Sequence, residues 1–256
     1  IIMVTKMTTL VKTGLDILED NNFSNLKTMR VALLAHQASV NKKLEHSLSL
    51  LIKNKVQVRK LFGPEHGVFG QAQDMETVQE QKCSHSGLPI TSLYQDSYKS
   101  LQVKPQYLDG IDIVICDLQD VGARYYTFVN TVAFMMRACA KKGIPCLILD
   151  RPNPICGNAT EGNLVKSEFS SFVGQYKIQS RHGLTLGELA LFIKKEENLD
   201  LDLQIIWMQN WHRDMYFSQT NLFWVAPSPN MPTPDTALVY PGCCLFEGTN
   251  LSEGRG

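Results

Sequence analysis

Most of the short signatures that mark the chemistry of an α/β enzyme are missing from this chain. There is no Gly-x-Gly-x-x-Gly turn, no Walker A loop and no Gly-x-Ser-x-Gly elbow, so dinucleotide, nucleotide and α/β-hydrolase readings lose their usual support. No Cys-x-x-Cys or Cys/His ligand spacing occurs, which argues against a structural zinc site. Seven scattered cysteines, an odd number, supply no dense disulfide framework; free thiols are the default, and Cys116 and Cys146 lie inside apolar, strand-like runs as small core residues. No apolar run approaches the ~18 residues of a membrane span. The opening IIMVTKM is too short and wrongly flanked for a signal peptide. Excess charge is absent too: 25 basic residues offset 25 acidic ones, so the positive field that drives nucleic-acid binding is not there. A small or neutral ligand fits this balance better.

What the 256 residues do contain is an ordinary globular composition, 44% hydrophobic and 20% charged, long enough to bury a large core. Strand-like and helix-like segments alternate. Thr13–Asn22 reads as a short helix, Arg30–Gln37 as a buried strand, Leu44–Asn54 as an amphipathic helix and Gln57–Phe62 as a second strand, which makes one βαβ unit. After an irregular polar insertion over Gln71–Lys104, the pattern resumes with a strand at Gly110–Leu118, a helix at Val129–Lys142 and a strand at Cys146–Asp150. Thr185 with Glu188 three residues on predicts a capping box at a further helix start, and Leu201–Trp207 is the last strand. Five prolines between Trp224 and Gly242 predict an extended crossing segment without regular structure. The expected fold is therefore α/β: a Rossmann-like, open, mostly parallel sheet with helices on both faces over residues 1–213, then a Pro-rich segment and the start of a second domain over 214–256.

In an open parallel sheet, ligands gather outside the carboxyl ends of the strands. Four predicted strand ends supply His36-Gln37, Glu65-His66, Asp117 with Gln119, Asp120 and Arg124, and Asp150 with Arg151 and Asn153. Glu65 and His66 stand out because LFGPEHGVFG delivers them from a strand onto a turn bracketed by Gly63, Pro64 and Gly67. The plainer reading of those ten residues alone is a polar turn; the accumulation of carboxylates, amides and cations on one rim favours chemistry. That inventory suits hydrolysis by a general acid paired with a second group, and glycoside hydrolysis leads. Two alternatives remain at this level: a metal-dependent hydrolase using His36, His66, Asp117 and Asp120, and a non-catalytic module that holds a cell-wall sugar.

The motifs GPEHG (63–67), DLQDVGARYYTF (117–128), LDRPNP (149–154), EGNLV (161–165), HGLTLGELA (182–190), PSPNMPT (227–233), YPG (240–242) and EGTNLSEGRG (247–256), in this order, resemble the NamZ family of exo-β-N-acetylmuramidases over nearly the whole chain. The resemblance implies an enzyme that releases N-acetylmuramic acid from the non-reducing end of peptidoglycan fragments. It implies a Rossmann-like domain sharing a cleft with a second domain, a chain continuing past EGTNLSEGRG, and a secreted or periplasmic location inferred from the substrate. No cofactor or metal is expected, and the only partner expected is the peptidoglycan-derived sugar, with no nucleic acid and no membrane span. The family's catalytic glutamate falls on Glu65, as general acid or as a base activating water. Asp117 and Asp120 are candidates for the second carboxylate, with Asp120 preferred and Asp117 placed in the binding set. Of Tyr125 and Tyr126, one is expected to assist catalysis and the other to pack beneath the loop, and Tyr125 is the catalytic choice. The lactyl carboxylate of the sugar calls for an arginine, from Arg124, Arg151 or Arg255, although an ion pair with Asp150 is the stronger reading for Arg151. His66, Gln119, Asn153, Asn230 and Asn250 complete the expected binding set. His182 reads as a helix-entry residue, Glu188 as a cap, and Trp211 and Trp224 as core aromatics.

Overall fold

A computed structural model describes residues 10–65, 67–69, 81–83, 86–93 and 102–251. The apolar runs become strands Arg30–Ala35 (β1), Gln57–Gly63 (β2), Gln81–Lys82 (β3), Pro89–Ser92 (β4), Ile113–Asp117 (β5), Cys146–Leu149 (β6) and Leu203–Ile206 (β7). They form one sheet in the order β3-β4-β2-β1-β5-β6-β7. Every neighbouring pair is parallel except β3 and β4, which run antiparallel at the edge. The helices are Gly14–Asp20 (α1), Ser47–Lys53 (α2), Phe128–Lys142 (α3), Leu186–Glu196 (α4) and Pro234–Cys243 (α5). This is the Rossmann-like arrangement the alternation of segments predicts.

Near-continuous hydrophobicity along the central strands follows from burial on both faces. Along β1, Val31, Leu33 and Ala35 join a core with Leu15 and Leu18 of α1 and Leu48 and Leu51 of α2. Ala32 and Leu34 point the other way, into a core with Val132, Met135 and Met136 of α3 and Leu189 and Ile193 of α4. A shift of one residue would exchange the two sets, so register is tightly specified. Cys116 and Cys146 are fully buried, and all seven cysteines are free.

Three expectations need correction. The helix expected from Leu44 begins only at Ser47, because Leu44 adopts a left-handed φ of 63° and His46 takes the cap, its Nδ1 accepting from the Leu48 N–H at 3.2 Å. The insertion is not irregular throughout: Pro89–Ser92 adds a strand parallel to β2, pairing Leu61 with Ile90 and Gly63 with Ser92. The Pro-rich stretch is not devoid of regular structure either, since α5 starts with Thr233 capping the Thr236 N–H and Pro234 in the first turn, where a missing N–H costs nothing.

β1 and β5 run side by side in the same direction, but the order in which strands are added reverses between them, with β2 and β4 to one side and β6 and β7 to the other. Loops leaving β1 and β5 therefore meet at the topological switch point, where an open α/β sheet ordinarily binds its ligand.

Candidate active site

The switch point is roofed by the chain itself. The Gln37 Nε2–H donates to the Ala226 carbonyl at 2.9 Å. His36 Nε2 accepts from the Gln119 N–H at 2.9 Å, which puts the ring proton on Nδ1, 3.3 Å from the Pro227 carbonyl. Residues 222–228 are thereby strapped across the ends of β1 and β5. Leu222, Phe223, Trp224 and Val225 close over Gln119 and Arg151, leaving a cavity of about 20 Å³, room for about one water.

Beneath the strap the polar groups satisfy one another. Asp117 is fully buried and takes a bidentate ion pair from Arg151, Nε to Oδ1 at 2.6 Å and Nη2 to Oδ2 at 3.0 Å, while Arg151 Nη2 also donates to the Val40 carbonyl. The Arg151 partner is thus Asp117 and not the adjacent Asp150. Asp150 turns to the start of α4 instead, where its Oδ1 accepts the Gly187 N–H at 2.9 Å, and burial pushes its carboxyl up to about 6. The Gln119 amide donates to the Asp120 and Pro152 carbonyls. Asn153 donates to the Leu184 carbonyl and accepts the Ile155 N–H, bracing its own turn. Asp117 is fully buried and Arg151 nearly so, and the pair braces the ends of β5 and β6 from inside.

The end of β2 is different. Pro64 turns the chain, the Gly67 N–H closes the turn on the Pro64 carbonyl at 3.0 Å, and Gly67 adopts φ 79°, a conformation natural to glycine. Glu65, at the tip, is half-buried, and its Oε2 accepts the Thr127 hydroxyl at 2.8 Å. Thr127 is the N-cap residue of α3, yet its side chain caps no helix N–H. A hydroxyl that usually completes its own helix is turned toward the carboxylate instead. The positive end of a 15-residue helix lies at the same place.

Asp120 lies close by on the loop after β5. Its Oδ2 accepts the Gly122 N–H at 2.7 Å and stands 3.2 Å from His182 Nε2, while buried Oδ1 has no donor among the described residues. His182 Nδ1 accepts the Leu184 N–H, which leaves its proton on Nε2, facing Asp120. Gly122 is required here: at φ 81°, a Cβ would sit 2.5 Å from Ile155 and 2.6 Å from Asn153 Oδ1. Tyr126 is buried against Ser228, and burial, reinforced by the charges of Asp120 and Glu65, pushes its phenol well above the ordinary value. Tyr125, the catalytic choice from sequence, lies within hydrogen-bond reach of Ser180 Oγ at 2.8 Å and stacks with Arg124.

Arg124 donates from Nη1 to the Asn163 and Ile178 carbonyls and so fastens the 161–178 loop. Asn230 and Asn250 are exposed, before and after α5 in the chain. His66 and Arg255 lie outside the described residues. Of the metal-ligand candidates, His36 and Asp117 already bond to protein groups, and no cluster of three or more His, Cys, Asp or Glu gathers among the described residues. Sequence reasoning missed Thr127 as a partner of Glu65. Its signal was a threonine at a helix start with Asn130, not Glu or Gln, at the position that would complete a capping box.

Residues 31–235 match the family described as exo-beta-N-acetylmuramidase NamZ, N-terminal. Over 247 residues the chain is 44% identical to the peptidoglycan beta-N-acetylmuramidase NamZ of Bacillus subtilis (strain 168), a similarity covering 96% of this chain and 59% of that protein. Two solved structures of DUF1343 family proteins from Bacteroides fragilis NCTC 9343 superimpose with TM-scores of 0.84 and 0.80 at 37% and 34% identity. They cover 93% and 97% of this chain, and 60% and 65% of their own. The chain thus spans about three-fifths of the length of the curated relative it matches.

Proposed function

Because this chain belongs to the NamZ family, we propose that it carries the catalytic half-site of an exo-acting β-N-acetylmuramidase that releases N-acetylmuramic acid from peptidoglycan fragments. The observation that carries the reading is Glu65, presented on the β2 exit turn and held by Thr127 at the start of α3. In this reading Glu65 is the general acid/base: it protonates the glycosidic oxygen as the C1–O bond breaks and positive charge spreads over the sugar ring, and water then adds at C1, giving one proton to a carboxylate and leaving its hydroxyl on the sugar. Thr127 fixes the plane of the carboxyl group. Asp120 is the second carboxylate, oriented through Oδ2 by Gly122 and His182, with Oδ1 turned to the oxocarbenium-like centre or its water. On this reading the protein works on cell-wall fragments in a secreted or periplasmic setting, as inferred from that substrate.

The test is hydrolysis of a chromogenic N-acetylmuraminide by the full-length parent and its Glu65→Gln variant. Loss of a general acid predicts a fall in kcat of about 10²- to 10⁴-fold with unchanged folding. Equal turnover by the two proteins would remove Glu65 from the role. Sugar binding without turnover in the parent would make the protein a binding module instead.

A further inference from the structure

A second recess lies on the same rim of the sheet, at the carboxyl ends of β6 and β7. It has a volume of about 340 Å³ and is lined by Asp150, Thr185, Glu188, Met208, His212 and Arg213, with Trp207 and Trp211 as its aromatic walls. In the strand order, β7 stands four positions from β2, so at ~4.8 Å per strand the recess lies roughly 19 Å across the sheet from the strand that carries Glu65. No step of the proposed hydrolysis uses it.

Its chemistry is specific. Trp207 leaves the end of β7 with 47% of its surface exposed, unusual for an indole among residues that pack a core. Trp211 packs against Gly157, where a Cβ would meet its ring at 2.9 Å, and its Nε1–H has no acceptor among the described residues. The one guanidinium present is already committed: Arg213 Nη1 donates to Glu188 at 2.5 Å, and Nη2 donates to the Gly157 and Gly183 carbonyls. Glu188 also accepts the Thr185 N–H as the capping box of α4. The recess therefore offers aromatic faces and polar edges, with Arg213 and Glu188 paired to each other, Asp150 accepting the Gly187 N–H and His212 beside them. An anionic peptide or phosphate would find no uncommitted guanidinium, whereas a neutral pyranose has an apolar C–H face for an indole and hydroxyls for the edges.

We propose that this recess is a separate binding site for a neutral pyranose sugar, with the exposed Trp207 indole as its stacking platform. The site is independent of the glycosidase reading for its existence and rests on it only for the expectation that the natural sugar belongs to a cell-wall glycan.

Titration of this chain with the tetramer of β-1,4-linked N-acetylglucosamine, followed by tryptophan fluorescence and by saturation transfer to the sugar protons, tests it. Saturable binding is expected in the parent and in Glu65→Gln alike. Trp207→Ala should weaken it about tenfold, while Trp207→Phe retains most of it. Trp207 is exposed, so its truncation leaves the fold intact, as an unchanged Tm would record. Equal affinity in Trp207→Ala and parent, or no saturable binding in the parent, would overturn the proposal. Loss of binding in Glu65→Gln instead would place the sugar at the β2 end and overturn it equally. Failure of the glycosidase reading would appear separately, as turnover unaffected by Glu65→Gln.

Discussion

The loop after β2 and the loops after β1, β5 and β6 leave the same edge of one sheet with ionisable side chains, a glutamate and a histidine at the first and carboxylates, histidine, amides and arginines at the others. Their fates differ because of what covers them. Over β1 and β5 lies the 222–228 strap, fixed by Gln37 and His36, and beneath it Asp117 and Arg151 form a buried pair with every charge matched. At the β2 end Glu65 is half-buried, and on the β5 loop Asp120, though buried, keeps a carboxylate oxygen with no donor among the described residues. Burial with full pairing makes a polar cluster into structure; a half-buried carboxylate, or a buried one with an incomplete bond, is left available for chemistry.

The largest expected effect lies under the strap. Asp117→Asn leaves the Arg151 guanidinium buried without its counter-charge and should destabilise the fold by about 3–5 kcal/mol in denaturant unfolding. Asp117→Leu combined with Arg151→Met, which removes both charges, should recover much of that loss. If the single variant were as stable as the parent while catalysis collapsed, the pair would belong to the site and the contrast between the two regions would fail.

The contrast also marks what could be read from sequence. The sheet was legible because both of its faces are buried, which writes each central strand as a solid apolar run such as Val31–Ala35. Strand β4 was not, being four residues opening with a proline inside a polar stretch, and taking its place by pairing with β2 and β3, distant in sequence. Helix α5 was hidden by its own prolines, although Thr233-Pro234 is a normal helix start. For the site, the turn chemistry around Glu65 is local and readable. The burial of His36, Asp117 and Arg151 is not, because it depends on contacts with a strap such as that between His36 and Pro227, 191 residues apart. Nothing near Arg151 in sequence distinguishes pairing with Asp117 from pairing with Asp150.

Asp150, at the end of β6, is buried like Asp117 but is bonded to the start of α4 and not to a guanidinium. Its carboxyl titrates at about 6 in the fold against 3.8 as an ordinary aspartate. Below pH 3.8 both folded and unfolded chains keep the proton; between the two values the unfolded chain loses it first; above 6 the folded chain must hold a charge that burial opposes. Stability present in acid is therefore lost as pH rises through 6. Asp150→Asn, which keeps an acceptor for the Gly187 N–H, should match the parent below about pH 4 and exceed it by up to about 3 kcal/mol above pH 6. An advantage that did not change with pH would mean that desolvation of the charge is not what limits stability there.

The smallest effect tests the exposed end. Thr127 donates to Glu65 and caps nothing, so Thr127→Val removes a hydroxyl whose main partner is the proposed catalytic group, at a cost of about 1 kcal/mol or less to folding. Were the contact merely structural, kcat would follow the parent once the fold was intact. If Thr127 positions the carboxyl group, kcat should fall about tenfold with KM little changed, because an interaction needed for geometry at the reacting bond is lost while ground-state sugar contacts persist. Thr127→Ser, which restores the donor without the methyl group, should return most of the rate. A KM effect without a kcat effect would move Thr127 from Glu65 to the sugar, and the β2 end would then be a binding surface whose catalytic group lies elsewhere.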